Sequence, residues 1–169
     1  NASIAMSRAM ELAEANGIGC VALKNTNHWM RGGTYGAQAA GAGYIGLCFT
    51  NTIPLLPPWG GATPRLGNNP LVIAVPKEDG PVVLDMAVSQ YSMGKLQQYK
   101  TAEKELPLPG GYNRSGGLTT NPSEILDSGR ALPIGFWKGS GLALLLDLIA
   151  TVLSEGSSTA DLAKRPAET

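Results

Sequence analysis

Apolar residues recur along this chain with two periods, and these predict an alternating series of helices and strands. Over positions 4–13, alanine, leucine and isoleucine fall on one side of a 3.6-residue repeat, while most charged side chains fall elsewhere. The pair Asn16-Gly17 is a typical C-terminal stop. The pattern therefore predicts a first helix that ends at Gly17.

The rest of the first half favours short strands around one small helix. Strands are predicted from Ile18 to Leu23 and from Tyr44 to Thr50, and a helix of small residues from Thr34 to Ala42. Two further strands, Pro70 to Pro76 and Pro81 to Met86, flank the turn Lys77-Glu78-Asp79-Gly80, which indicates a hairpin.

The second half contains more proline and glycine. Positions 51–69 and 107–122 are predicted to be irregular, with a helix over 89–105 between them. Positions 139–153 are apolar nearly all round, which predicts a last helix that is buried. The polar residues after Glu155 are predicted to be loose. With no internal repeat or linker, we expect one domain over residues 1–169.

Composition narrows the class of protein. Apolar residues make up 43% and charged residues 15%, which is enough apolar sequence to form a core. Lys+Arg and Asp+Glu balance at 13 each, which argues against nucleic acid as a partner. No run of 18 apolar residues and no leader is visible, so we expect no membrane association and a cytoplasmic location.

Cys20 and Cys48 each lie in an apolar run that resembles a strand. We expect both to be buried free thiols, with a disulfide as the less favoured alternative. One histidine and two distant cysteines give no metal-ligand spacing, so no metal site is predicted.

The stretch Asn27-His28-Trp29-Met30-Arg31-Gly32-Gly33 carries the candidate chemistry. His28 is the only histidine, and histidine is the side chain that titrates near neutral pH. An amide, an indole and a guanidinium surround it, a mixture more typical of a substrate pocket than of a core. The alternative is a histidine at a strand end that is hydrogen-bonded to backbone.

The stretch Gly41-Ala42-Gly43-Tyr44-Ile45-Gly46 matches the G-x-G-x-x-G pattern of dinucleotide-binding folds. That motif requires a strand before the glycines and a helix after them. Here the predicted order is reversed, so we expect a helix end and a tight turn rather than a Rossmann site.

Three further features have both a functional and a structural interpretation. Trp137-Lys138-Gly139-Ser140-Gly141, before the last helix, is an anion site or a plain Ser140 N-cap. Asp85, at a strand end, could bind a ribose, orient an imidazole or cap the helix after Ser89. Asp147, within the apolar helix, needs a partner such as Arg31, Arg65 or a backbone donor.

Taken together, several blocks of sequence resemble a known family. The blocks are Asn25 to Gly36, Pro57-Pro58-Trp59-Gly60, Leu66 to Leu71, Leu84-Asp85-Met86-Ala87, and Leu132-Pro133 with Trp137 to Gly141. In this order they resemble the malate/L-lactate dehydrogenase family that lacks a Rossmann domain. Within it, the first two blocks are most similar to the branch that reduces a diketo sugar acid.

The resemblance implies a mixed α/β fold with a largely antiparallel sheet and flanking helices, a non-Rossmann nucleotide-binding fold. It implies an oxidoreductase that uses NAD (NADH), or alternatively NADP, on a small 2-keto or 2-hydroxy acid, commonly as a homodimer. His28, Asn27 and Arg31 would line the substrate pocket. The residues carried over to the cofactor are Pro81, Val82, Val83, Leu84, Asp85, Met86, Ala87, Trp137 and Lys138.

One departure from the family pattern limits this expectation. The family's proton-donating histidine lies in a His-Gly-x-x-Arg stretch that is absent here, and His28 is a poor substitute by position. We therefore expect a central piece of the family chain, weak or inactive alone. The alternatives are a sibling dehydrogenase for malate, lactate, ureidoglycolate or a cyclic imino acid, and a non-catalytic assembly remnant with exposed apolar surface.

Overall fold

The computed structural model describes residues 1–26 and 28–165. In chain order the elements are α1 (Ala2–Asn16), α2 (Gly33–Gly41), β1 (Gly46–Phe49), β2 (Pro54–Leu56), β3 (Leu66–Gly67), β4 (Leu71–Val75), β5 (Val82–Met86), α3 (Met93–Thr101), β6 (Gly111–Tyr112), β7 (Leu118–Thr119), α4 (Pro122–Ser128), α5 (Trp137–Ser154) and α6 (Thr159–Leu162). This mixture of helices and antiparallel strands confirms the predicted fold class.

Contacts divide the described chain into two compact units. The first consists of Asn1–Thr50, Pro70–Met86 and Leu148–Ser157, and the second of Asn51–Asn69, Ala87–Asp147 and the described residues from Ser158 onward. Helix α5 begins in the second unit and ends in the first. The expectation of a single domain stays a prediction.

The first unit is built on the predicted helices and hairpin. Helix α1 ends at Gly17, whose φ of 81° is left-handed and whose N–H bonds the carbonyl of Ala13, as the stop signal predicts. Strands β1, β4 and β5 form one antiparallel sheet in that order. In its register, Val72 lies opposite both Cys48 and Asp85, so these three side chains share one face.

Helix α2 lies close to β4 because small residues face the sheet. A Cβ at Gly36 would lie 2.6 Å from Cγ1 of Val72, so only glycine fits there. Since α2 precedes the Gly41–Gly46 turn and β1 follows it, the structure has the helix-first order that we predicted.

The strand predicted over 18–23 is wrong. No described strand pairs with this segment, Ile18 is 79% exposed and Cys20 is exposed rather than buried. An apolar run becomes a strand only where a neighbouring strand supplies backbone partners. The predicted strand over 44–50 is confirmed with narrower bounds, as β1.

The second unit packs around a cluster of buried apolar residues: Leu56, Leu96, Leu106, Ile125 and Ala131. The segments predicted to be irregular contribute two short antiparallel ladders, β2 with β3 and β6 with β7. The helix predicted over 89–105 begins only at Met93, where the Ser92 side chain accepts from the N–H of Lys95. Helix α4, capped by Asn121, was not predicted.

Helix α5 confirms the predicted position of the last helix but not its burial. Its buried residues, Gly139, Ala143, Leu146 and Asp147, follow the i, i+3, i+4 spacing of one face. On the other side Leu145 is 57% exposed and Val152 is 73% exposed. The apolar pattern identified the helix, but burial requires a covering surface, and the described residues cover only one face.

By length and composition α5 also meets the criterion for a membrane-crossing helix, with a mean hydropathy of 1.3 over 18 residues. The core helix of a soluble protein meets the same criterion, so this is weak evidence of a span. Asp147, in the middle of the helix, is polar and hydrogen-bonded within the second unit.

The described residues after Glu155, 156–165, are more ordered than we predicted. Ser158 and Asp161 form a reciprocal capping box at the start of α6. Thr159 is 1% exposed, and its hydroxyl donates to the carbonyl of Thr52 at 2.8 Å. Buried hydrogen bonds therefore hold this end of the described chain to the second unit.

Candidate functional site

The candidate substrate loop, residues 28–32, leads into α2 and is largely exposed. Nδ1 of His28 accepts a hydrogen bond from the backbone N–H of Met30 at 2.8 Å. An acceptor nitrogen carries no proton, so in this hydrogen bond Nε2 is the ring nitrogen that bears one. Asn27, predicted to bind substrate with His28, lies outside the described residues.

Arg31 lies in the same loop with its side chain exposed. No carboxylate within residues 1–26 and 28–165 pairs with its guanidinium. A guanidinium without an ion-pair partner is suited to bidentate binding of a substrate carboxylate. The neighbouring Trp29 is held in place, because the hydroxyl of Tyr35 donates to its carbonyl at 2.8 Å.

Asp85 connects strand β5 to the end of this loop. Its Oδ2 accepts a hydrogen bond from the backbone N–H of Gly33, the first residue of α2, at 2.8 Å. A carboxylate at a helix N-terminus satisfies an otherwise unpaired donor and interacts favourably with the helix dipole. Asp85 thus caps α2, and the predicted cap on the helix after Ser89 is wrong, because Ser92 caps that helix.

Gly33 is required for this contact. A Cβ on Gly33 would lie 2.6 Å from Oδ2 of Asp85, closer than side-chain atoms approach. The sequence did not reveal the pair, because the two residues are 52 positions apart. The sequence contained only indirect signs of this contact: the carboxylate of Asp85 near a strand end, and the glycine pair Gly32-Gly33 before a helix.

Strand β5, which holds most of the residues carried over to the cofactor, forms one edge of the first unit's sheet. Val82, Val83, Leu84 and Asp85 are exposed, while Met86 and Ala87 are half-buried. Among the described residues β5 pairs only with β4, so the outer edge of its backbone has no strand beside it. The contact of Pro81 to Ala87 with a cofactor remains a prediction.

In the second unit, Trp137 and Lys138 form the first turn of α5 and both are exposed. Nζ of Lys138 lies 6.0 Å from the centre of the Trp137 ring, within cation–π range. Gly135 and Phe136 before them both have left-handed φ, 58° and 59°. An exposed ammonium and an exposed indole at the positive end of a helix dipole are suited to a nucleotide with its anionic phosphates.

The alternative interpretation of this motif, a Ser140 N-cap, is wrong. Ser140 lies inside α5, where its hydroxyl accepts from the N–H of Trp59 at 2.8 Å and donates to the carbonyl of Phe136 at 3.3 Å. Ser140 therefore ties the loop at Trp59 to α5, and the anion interpretation remains as a prediction.

Asp147 has a partner, as we expected of a buried carboxylate, but neither arginine supplies it. Its Oδ1 accepts from the side-chain amide of Asn51 at 2.8 Å and from the backbone N–H of Thr159 at 2.9 Å. Of the predicted partners, the backbone donor is confirmed. The role of Asp147 is structural.

Both cysteines are free thiols. Cys48 is half-buried on β1, and burial, helped by the nearby charge of Asp85, raises its pKa from 9.0 to about 11. A thiol that stays protonated is a poor nucleophile. Among the described residues no group of three or more His, Cys, Asp or Glu side chains could hold a metal ion.

The family model described as malate/L-lactate dehydrogenase matches residues 1–169. The 2,3-diketo-L-gulonate reductase of Klebsiella pneumoniae (strain 342) is 54% identical over 156 residues, 92% of this chain and 47% of the relative. That of Citrobacter koseri is 52% identical over 157 residues, with the same shares of each chain. The chain thus spans about half the length of these relatives.

Solved structures of dehydrogenases and reductases are also similar to this chain. The malate dehydrogenase of Entamoeba histolytica has a TM-score of 0.87 at 28% identity, over 94% of this chain and 47% of that one. The delta1-piperideine-2-carboxylate reductase of Pseudomonas syringae has a TM-score of 0.86 at 29% identity, over 93% and 48%. With a family model that matches along its whole length, this chain belongs to the malate/L-lactate dehydrogenase family.

Proposed function

We propose that this chain is the nicotinamide-binding part of an oxidoreductase that acts on a small 2-keto or 2-hydroxy acid. The substrate is proposed to resemble 2,3-diketo-L-gulonate, because the reductases of that name are more than half identical to this chain. The observation that carries the proposal is the Gly33–Asp85 hydrogen bond, which joins the candidate substrate loop to the proposed cofactor strand.

Each group has a role that follows from its chemistry. The guanidinium of Arg31 would hold the substrate carboxylate, while His28, with its proton on Nε2, would donate a hydrogen bond in the same pocket. Pro81 to Ala87 and the Trp137-Lys138 pair would hold the cofactor. NAD or NADP, when bound, supplies or accepts the hydride. We propose a cytoplasmic homodimer that uses NADH or NADPH.

A sibling activity is the first alternative, since the structural relatives include enzymes named for malate and for an imino acid. The second is a binding or assembly role without catalysis. The exposed apolar face of α5 and the exposed row Leu47, Ile73 and Leu84 on the sheet support that role, because patches of this kind mark surfaces that other chains cover.

Turnover of NADH by the purified chain tests the proposal. Because this sequence has no His-Gly-x-x-Arg stretch, we expect slow loss of NADH absorbance, but faster with 2,3-diketo-L-gulonate than with oxaloacetate or pyruvate. Arg31→Ala should lower kcat/KM on the order of tenfold or more, as for a lost charge-assisted hydrogen bond. Arg114→Ala, which removes another exposed guanidinium, should leave it unchanged.

Equal losses in the two arginine variants would contradict the assigned role of Arg31. Faster turnover of oxaloacetate or of a cyclic imino acid would favour a sibling activity. Saturable NADH binding without turnover of any of these acids would favour the non-catalytic alternative.

A further inference from the structure

We infer that Asp85 is a positioning residue: through the Gly33 N–H it fixes the loop that carries His28 and Arg31. This differs from a direct contact between Asp85 and the cofactor. The importance of the positioning for turnover rests on the proposed function, but the structural relationship does not.

The first step of the inference is that Asp85 anchors the C-terminal end of the loop. Gly32, the residue before α2, has no side chain with which to cap the helix. The Asp85 carboxylate takes over that role from β5. A Cβ on Gly33 would meet the same oxygen at 2.6 Å, so the helix start and the carboxylate lie in direct contact.

The second step is that the loop itself is short and constrained. A Cβ on Gly32 would lie 2.7 Å from the Trp29 ring, so the loop folds back tightly on itself. Met30 has a left-handed φ of 63°, which is unfavourable for a side chain of its size. Such a conformation persists only where neighbouring contacts enforce it.

The third step connects this anchor to His28. The imidazole tautomer is fixed by the N–H of Met30, three residues before Gly33. If the start of α2 shifts, the strained Met30 relaxes, and its N–H turns away from Nδ1. This hydrogen bond of the imidazole therefore depends on a carboxylate on another element.

Nuclear magnetic resonance of the full chain, labelled with ¹⁵N, tests this directly because one histidine gives one pair of imidazole nitrogen signals. In the parent we expect an unprotonated Nδ1 and a protonated Nε2. Asp85→Ala should move the chemical shift of Nδ1 toward the average of the two tautomers. The amide hydrogen of Gly33 should exchange with solvent on the order of tenfold faster. Asp85→Asn, whose amide oxygen can still accept, should stay near the parent.

Gly33→Ala perturbs the same contact without changing a charge. It should change the chemical shifts of the His28 nitrogens in the same direction as Asp85→Ala does. Gly41→Ala in the same helix is the matched control, since a Cβ there meets nothing within 4 Å. If Asp85 only stabilised α2, amide exchange would change while the imidazole signals would not.

Unchanged His28 signals in both Asp85→Ala and Gly33→Ala would overturn the inference. Should Asp85→Ala not fold, Gly33→Ala alone decides between the two results. No NADH is present in these samples, so a failure of the chain to bind or oxidise NADH counts against the proposed function and not against this inference.

Discussion

The carboxylate of Asp147, in the middle of α5, accepts a hydrogen bond from the backbone N–H of Thr159 at 2.9 Å, and the same oxygen accepts from the amide of Asn51. These bonds join the helix, the first residue of α6 and the start of the 51–69 segment. Because Asp147 is 9% exposed and Thr159 is 1% exposed, water cannot replace the acceptor readily.

Asp147→Ala should therefore lower the free energy of unfolding by about 2–4 kcal/mol, since the buried N–H of Thr159 and the half-buried amide of Asn51 lose their acceptor. Urea denaturation followed by circular dichroism measures the change. Asp127→Ala removes an exposed carboxylate on α4 and should stay within about 0.5 kcal/mol of the parent. Equal effects of the two substitutions would contradict the importance of the buried network.

The raised pKa of Cys48 predicts a loss of stability at alkaline pH. Its thiol ionises at about 11 in the folded chain against 9.0 in the unfolded chain, so the unfolded state releases its proton first. The contribution of Cys48 to stability is complete below pH 9 and is lost as pH rises toward 11.

Urea titrations at several pH values in this window measure that loss. Cys48→Ala should reduce the alkaline decline in the free energy of unfolding, whereas Cys20→Ala, which removes an exposed thiol, should keep the decline of the parent. A Cys48→Ala variant that declines as steeply as the parent would show that other groups cause it.

The two faces of α5 should respond differently to substitution. Leu146→Ala removes a side chain that is 5% exposed and should cost about 2–5 kcal/mol of unfolding free energy. Val152→Ser, at a position that is 73% exposed, should change it by less than about 0.5 kcal/mol. A large destabilisation by Val152→Ser would mean that another chain covers this face in solution.

Much of the fold could be predicted because it depends on local pattern. The stop at Gly17, the hairpin around Lys77 to Gly80 and the position of α5, though not its first residue, follow from residues close in sequence. The burial of α5 and the strand over 18–23 could not be predicted correctly, because both depend on a neighbouring surface that apolar periodicity does not supply.

In the candidate site, too, the features that depend on local sequence could be predicted, and those that depend on packing could not. His28 and Arg31 stand out by their chemistry, and a backbone partner for Asp147 follows from the cost of burying a carboxylate. That Asp85 would meet Gly33 depends on how α2 packs beside the sheet, which no local pattern contains. The order of α2, turn and β1 was predictable, and it excluded the dinucleotide motif.

The most direct test of the account is a fluorescence titration of the purified, folded chain with NADH, beside Lys138→Ala and a Lys104→Ala control. We predict saturable binding by the parent and the control, and a Kd raised on the order of tenfold by Lys138→Ala, which removes the exposed cation at the start of α5. Absence of saturable binding by the folded parent, or equal Kd values for the two lysine variants, would contradict the proposed nicotinamide site.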